Sequence, residues 1–273
     1  MTYEKLKHFI ISKATEKNSV KEIKMRFKTG EQIVSSFLKA QSQSFTTEEK
    51  QSLEELDHYR DELSNRQDFV DFSLFGISEK QQVFDVYKRA ASKLKWCYFF
   101  YFLSRGNEKK NILEIGTNLG VSGQYFIGAL SDNKVEGAHF VTFEGVSDLC
   151  AIANKRFSKV AEKSICNYRI VEGLYENTLN EVENIGIKYD ILFIDGNHKY
   201  QPTIAYYEYL LKHTKNNVIF IFDDINWSDE MKKAWQYILK SDYSYSIDFF
   251  KVGLIIIEKE NYQRKNYNLF LTF

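Results

Sequence analysis

No apolar run in the sequence approaches the roughly 18–20 residues that a bilayer-crossing helix needs. The longest, Trp96 to Leu103, suits one face of a buried helix. Neither charge is in excess: 37 Lys and Arg balance 37 Asp and Glu, which removes any general electrostatic reason to bind nucleic acid. Paired cysteines are also missing. Cys97, Cys150 and Cys166 lie far apart and are odd in number, so they form neither a disulfide framework nor a metal-ligand pattern. The N-terminal stretch MTYEKLKHFIISKATEKNS lacks the apolar segment and small-residue cleavage site of a signal peptide. Lone thiols without such a signal lead us to expect a cytoplasmic protein. There is no internal repeat and no low-complexity linker.

What is present is a chain of 273 residues, 44% hydrophobic, with 22 Phe and 18 Tyr. That is too aromatic for disorder and long enough for one large α/β domain or a core with an appendage. The first part reads as helices. Tyr3, Leu6, Phe9 and Ile10 recur at helical spacing, as do Val20, Ile23, Phe27, Val34 and Phe37. Thr46 and Glu49 form a capping box, followed by Leu53, Leu56 and Leu63 on one face. Residues 1–40 are rich in lysine and 48–71 in acid; solvated faces are the favoured reading, with mutual packing or a second subunit as the other. Around Phe72–Gly76 the periodicity lapses, and Ser78 with Gln81 then caps a helix reaching about Ser104.

From Asn111 the pattern changes. Short apolar runs at Asn111–Ile115, His139–Phe143, Tyr168–Val171, Tyr189–Ile194 and Val218–Phe222 read as buried strands, each separated by room for a helix. Such alternation argues for a parallel sheet covered on both faces. Tyr243–Phe250 and Val252–Glu258 are joined through Lys251 alone, and so short a link permits only an antiparallel hairpin.

The first strand-to-helix junction is ILEIGTNLG, residues 112–120, where Gly116 and Gly120 allow a tight turn. The dinucleotide spacing G-x-G-x-x-G is absent, which disfavours NAD. The second strand ends in VTFEG, placing Glu144 where a carboxylate can accept bonds from both ribose hydroxyls. The third runs into VEGLYENTL, residues 171–179, with Gly173 at the turn. The fourth and fifth give YDILFIDGNHKY and VIFIFDDINWS, so Asp195, Asp223 and Asp224 converge on the carboxyl edge. Three carboxylates there would repel one another, and a hard divalent cation resolves that. Equally, Asp223 or Asp224 can cap the next helix while Asp195 closes its strand. His198 suits removal of a hydroxyl proton, with Lys199 as a substitute and a loop-bonded imidazole as the plainer alternative. Trp227 either walls an acceptor pocket or is buried at a helix start. His8, His58, His139 and His213 read as structural.

The run Glu114-x-Gly116-x-x-x-Gly120 resembles motif I of the class I S-adenosylmethionine (SAM)-dependent methyltransferases, and the terminal hairpin matches that family's sheet over about residues 111–258. The Asp195 and Asp223–Asp224 positions resemble those of metal-dependent O-methyltransferases. Catechol and caffeoyl-CoA types carry Asp-Asn at the fifth strand, whereas macrocin-type sugar enzymes carry Asp-Asp as here. IDGNHKY and FDDINW look most like methyltransferase family 24. The catechol type has a lysine base where this chain has His198.

The resemblance implies a Rossmann-like α/β fold, five parallel strands plus an antiparallel hairpin. It divides the chain into an N-terminal helical extension (1–77, lid or dimer surface) and a methyltransferase domain (78–273). It implies SAM held by Glu114, Gly116, Gly120, Glu144, Gly173 and Asp195, and a divalent metal such as Mg²⁺ on Asp195, Asp223 and Asp224. His198 and Asp195 are then catalytic, and the acceptor is a small hydroxylated molecule. The alternatives are a metal-independent N- or O-methyltransferase and a non-catalytic SAM-binding protein. Amphipathic stripes in the extension need a partner, the open sheet edge or a second copy, and a homodimer is expected.

Overall fold

The computed structural model describes residues 2–106, 110–134, 136–162, 166–260 and 263–272. The first hundred residues form helices α1 (Tyr3–Arg26), α2 (Gly30–Ser42), α3 (Thr47–Ser64), α4 (Val83–Ala90) and α5 (Leu94–Ser104), with a two-residue ladder of β1 (Phe69–Val70) and β2 (Gln81–Gln82). Strands and helices then alternate: β3 (Asn111–Ile115), α6 (Val121–Asp132), β4 (His139–Glu144), α7 (Ser147–Ala161), β5 (Asn167–Glu172), then the short α8 (Tyr175–Thr178) and α9 (Glu181–Ile185). There follow β6 (Tyr189–Ile194), α10 (Tyr200–Leu211), β7 (Thr214–Phe222), α11 (Asp229–Ile238), β8 (Tyr245–Asp248), β9 (Gly253–Ile257) and β10 (Lys265–Asn268). Two compact units divide this chain, Leu38–Gly186 in one and Met1–Phe37 with Ile187–Phe273 in the other.

In the unit Leu38–Gly186, β3, β4 and β5 are parallel, and Ile115 pairs with Phe143 while Glu144 pairs with Glu172. The three strands therefore end level, which brings their following turns to one edge. Aromatic rings carry the packing from helix to strand. Phe100 of α5 stacks on Phe126 of α6 at 5.5 Å, Phe126 on Phe140 of β4 at 5.9 Å, and Phe140 meets Phe157 of α7 edge-on. Leu53, Leu56 and Leu63 of α3 are buried as their spacing predicts, and the Thr46–Glu49 capping box forms. α3 is joined to α6 by polar bonds. Gln124 donates to the Leu56 carbonyl, Arg156 to Gln124 and to the Glu55 carbonyl, and Tyr59 to the Leu119 carbonyl.

The helix expected from Ser78 to about Ser104 is interrupted. Gln81–Gln82 is strand, and the chain leaves helical geometry at Ala91 before α5 starts. The Ser92 carbonyl is taken by the Arg60 guanidinium at 2.9 Å and by the Cys97 thiol. A bond from α3, distant in sequence, holds the break, so local periodicity carries no sign of it. All three cysteines are buried and free.

In the other unit β6 and β7 are parallel, β9 is antiparallel to both β7 and β8, and β10 runs parallel to β8. The hairpin expected through Lys251 is present. β10 was not anticipated: its sequence KNYN is polar, and only Tyr267 is buried. α1 packs on β10 in this unit, with Phe9 edge-on to Phe270 and His8 bonded to the Leu269 carbonyl, so of the expected stripe Tyr3, Leu6, Phe9 and Ile10, Phe9 alone finds a partner among the described residues. Tyr3, Leu6 and Ile10 stay exposed. Among the described residues no helix is long and apolar enough to cross a membrane.

The turn between α1 and α2 is fixed by one carboxylate. Glu258, buried just past β9, accepts from the Lys28 N–H at 3.2 Å, the Thr29 N–H at 2.7 Å and the Thr29 hydroxyl at 2.7 Å. With its proton on Glu258, the Thr29 hydroxyl accepts in turn from Tyr245, whose ring stacks on Phe27 at 3.9 Å. Removing the carboxylate leaves three donors without their acceptor. Glu258→Ala should therefore lower unfolding free energy by about 2–4 kcal/mol, read by urea denaturation. A loss below about 0.5 kcal/mol, typical of a surface site, would show that the turn is held otherwise.

Candidate active site

Two sets of polar side chains stand at strand ends, one in each unit. In Leu38–Gly186 the set is built on the turn after β3. Gly116 and Thr117 both donate backbone N–H groups to the Phe143 carbonyl, which clamps the turn to β4. Gly120 opens α6 with φ of 75°, and a Cβ there would stand 2.9 Å from the Phe157 ring, so only glycine is accommodated. Asn118 also has positive φ, and its N–H donates to Glu144 Oε2 at 2.8 Å while Val146 N–H donates to Oε1 at 3.0 Å. Burial pushes the Glu144 carboxyl above its ordinary value; backbone N–H bonds from Val146, Asn118 and Gly145 oppose the shift without cancelling it. The carboxylate is thus held in place by the glycine turn itself, with lone pairs left for further donors.

Glu114 plays a different part. It is fully buried, accepting from the Ser122 hydroxyl and from Thr142 at 2.7 Å, and Thr142 also bonds Thr117. Its oxygens tie β3 to α6 and β4, which shapes the turn from beneath. Gly173 has φ of 135° and donates to the Glu144 carbonyl at 2.8 Å, so the turn after β5 is bound to the end of β4.

Two features here were not legible in the sequence. Tyr59 reaches the turn's Leu119 carbonyl from α3, inside the segment expected to be a separate extension. The stretch where periodicity lapses carries Leu74 and Phe75, which lie within van der Waals reach of a Cβ placed at Gly145, as does Leu174. Leu74 and Phe75 are otherwise half exposed, giving the neighbourhood of Glu144 an apolar face.

The second set lies in Ile187–Phe273. Register puts it together: Ile194 pairs with Phe222 and Phe222 with Gly253, and Asp223 N–H bonds the Ile194 carbonyl at 3.0 Å. Asp195 and Asp223 therefore follow neighbouring strand ends. Because β9 is antiparallel to β7, its beginning lies at β7's end, and the link before it delivers Lys251. The Lys251 ammonium bonds Asp223 and stands 2.9 Å from Asp224 Oδ1, while its carbonyl accepts from Ile225 N–H. Asp224 and Phe250 take positive φ in forming these turns. Lys251 is the residue that sequence reasoning missed. The antiparallel hairpin held the signal, since its link must emerge at the edge where the parallel strands end.

His198 Nε2 lies 3.4 Å from Asp195 Oδ1. Burial pulls the imidazole down, but the bond to Asp195 and the charges of Asp195, Asp224 and Asp223 outweigh it and hold the ring above 6.5. Burial and the Asp195 charge raise the Asp223 carboxyl against the pull of Lys251. Burial likewise disfavours the Lys251 charge, and the three carboxylates more than reverse it, so the ammonium stays protonated. Among the described residues no group of three or more His, Cys, Asp or Glu side chains is placed to hold a metal ion. Trp227, whose N–H bonds the Asp224 carbonyl, is 73% exposed and so is not the buried helix-start residue that one reading allowed.

Residues 113–225 match the family described as a methyltransferase domain. Comparison with curated proteins finds no match. Among solved structures, an O-methyltransferase from Bacillus cereus in complex with S-adenosylhomocysteine (SAH) shares 18% identity, covering 76% of this chain and 91% of its own at TM-score 0.53. An SAH-bound methyltransferase from Podospora anserina, also 18% identical, covers 80% and 99% at TM-score 0.52. The O-methyltransferase TomG from Streptomyces achromogenes, solved with SAM, is 17% identical over 63% and 82% at TM-score 0.51. At these identities the likeness establishes the fold.

The raised imidazole has a consequence for stability. An unfolded histidine titrates near 6.5 and the folded ring titrates higher, so the stabilisation is complete below the unfolded value and is lost as pH rises through the folded one. Urea denaturation of wild type and His198→Ala over a pH series should show the wild-type advantage fading as pH climbs from below 6.5. An advantage that is flat or grows with pH would contradict this electrostatic assignment.

Proposed function

We propose that this chain, which carries a class I methyltransferase domain, transfers a methyl group from SAM to the hydroxyl of a small acceptor. The observation that carries the reading is Glu144, buried and held by the N–H groups of Asn118 and Val146 at the ends of the glycine turn and of β4. A carboxylate fixed in this way can accept both hydroxyls of a ribose, a pairing worth more than two neutral hydrogen bonds. The apolar side chains of Leu74, Phe75 and Leu174 near Gly145 suit the face of a purine. Gly116, Gly120 and Gly173 shape the turns that would hold the cofactor, and Glu114 supports them from below. Asp195 is assigned here to the acceptor chemistry through His198.

When bound, SAM supplies an electrophilic methyl on a positively charged sulfur. The acceptor hydroxyl must lose its proton as the new carbon–oxygen bond forms, and His198 takes it. Asp195, on Nε2, orients the ring and stabilises the imidazolium, leaving Nδ1 for the acceptor proton. Trp227 offers an exposed aromatic surface next to Asp224, which favours a flat or cyclic acceptor.

A divalent cation such as Mg²⁺ was expected on Asp195, Asp223 and Asp224. Those residues do not fit one as they are folded, since an oxygen-coordinated ion needs the carboxylates turned inward on a common centre. Here Asp223 and Asp224 are turned to Lys251, and Asp195 to His198. No step is therefore assigned to a metal.

Isothermal titration should show saturable binding of SAM and SAH and none of NAD. Glu144→Ala should weaken SAM by about 1.5–3 kcal/mol, roughly 10- to 150-fold. Saturable NAD binding without a response to SAM would sink the reading. With methyl-labelled SAM and a pool of hydroxylated acceptors, His198→Asn should slow transfer by roughly 10²–10⁴-fold. The wild-type rate should rise with pH through a midpoint above the ordinary imidazole value, and the variant should lose that limb. An unchanged profile in His198→Asn would remove the imidazole from the reaction.

A further inference from the structure

We infer that Lys251 is the resident cation of the acidic cluster, standing where a divalent metal would otherwise be required, and that the folded protein takes up no such ion there. The inference rests on the reading of these strand ends as the acceptor side of a methyltransferase, and it deepens that reading. It is carried by geometry. One ammonium bonds Asp223 and lies 2.9 Å from Asp224. Asp223 is almost wholly buried, its side chain 8% exposed. A buried carboxylate without a counter-charge is strongly unfavourable, so something positive must face it.

The fold leaves little choice about what that is. Lys251 lies in the four-residue link 249–252 between β8 and β9, and its own carbonyl is bonded to Ile225 N–H at 3.0 Å. The Phe250 N–H is held by Asp248 at 2.7 Å and the Phe250 carbonyl by Asn226 at 2.7 Å. Ile225 and Asn226, the residues after the paired acids, are thus bonded to the carbonyls of Lys251 and Phe250, and Phe222 before the acids pairs with Gly253 after the lysine. The ammonium arrives with the fold and needs no ion from solution. A metal would have to displace it, and the displaced charge would remain within reach of the ion.

The test uses Mn²⁺ as probe. Electron paramagnetic resonance of the full chain titrated with Mn²⁺ should show no stoichiometric binding, and the melting temperature should be the same in EDTA and in millimolar Mn²⁺. Lys251→Ala should melt roughly 5–10 °C lower in EDTA, because it leaves a buried carboxylate unpaired. Mn²⁺ should restore part of that loss, with about one ion bound per chain. Lys251→Arg, which keeps the charge, should behave as wild type with respect to Mn²⁺.

Stoichiometric Mn²⁺ on the wild-type chain that is abolished by Asp195→Asn or Asp223→Asn would overturn the inference. So would a Lys251→Ala variant that melts like wild type with and without Mn²⁺, since the ammonium would then be holding nothing. The wild-type titration decides the matter even if Lys251→Ala does not fold. No readout uses SAM, so failure to bind SAM leaves this inference standing, and Mn²⁺ uptake defeats it with SAM binding intact.

Discussion

Strand register is the constraint on which both polar sets depend. Once Ile194 is paired with Phe222 and Phe222 with Gly253, the positions of Asp195, Asp223, Asp224 and Lys251 follow without further choice. A slip of one residue would turn Asp223 to the other face of the sheet and take its charge away from Lys251. The apolar residues enforce the register, because β6 and β7 end in runs buried on both faces, ILFI and VIFIF. The same holds where β3, β4 and β5 end level and the turn at Gly116 meets Glu144. Hydrophobic burial, which has no chemical specificity of its own, is thus what brings the charged groups together.

The two sets solve the problem of a buried carboxylate in different ways. Glu144 is held by neutral backbone donors, which restrain the rise in its pKa but leave it with unused lone pairs. Asp223 is held by a full opposite charge. The first arrangement keeps an acceptor available to a ligand that brings hydroxyls. The second consumes the acceptor and leaves a compensated pair, from which a metal would gain less than from bare carboxylates. Glu114 shows a third outcome, a carboxylate whose oxygens are bonded to Ser122 and Thr142 and which serves the turn's shape.

Much of this was readable from sequence. β3 and β6 match their apolar runs end to end, and β4, β5 and the hairpin differ by one or a few residues. Apolar runs and short links are local signals, and local signals survive in a single sequence. What was lost depends on contacts between residues far apart. The break between α4 and α5 is held by Arg60 from α3, and β10 exists because Tyr245–Asp248 offers it an edge. The acidic residues were placed at the correct strand ends, but the lysine beside them was not foreseen. The expectation of a metal rested on the absence of an obvious cation, and the cation sat in the hairpin link, some thirty residues downstream of Asp223 and Asp224 in the chain.

The helical segment before Asn111 bears on the site through particular atoms. Tyr59 sits in α3, buried, with its hydroxyl on the Leu119 carbonyl and the Arg156 guanidinium 4.9 Å from its ring. Arg156 in turn bonds Gln124 and the Glu55 carbonyl, so α3 and α7 grip the helix that the glycine turn opens. Burial disfavours the phenolate of Tyr59 and keeps the hydroxyl a donor throughout the neutral range. Leu119 lies one residue before Gly120, whose left-handed backbone is needed for α6 to begin there. A hydrogen bond at Leu119 therefore acts on the turn at its most constrained point. Within Leu38–Gly186, α3 is accordingly part of the apparatus that fixes the turn, and cutting the chain after it would remove a donor from the site along with a layer of the core.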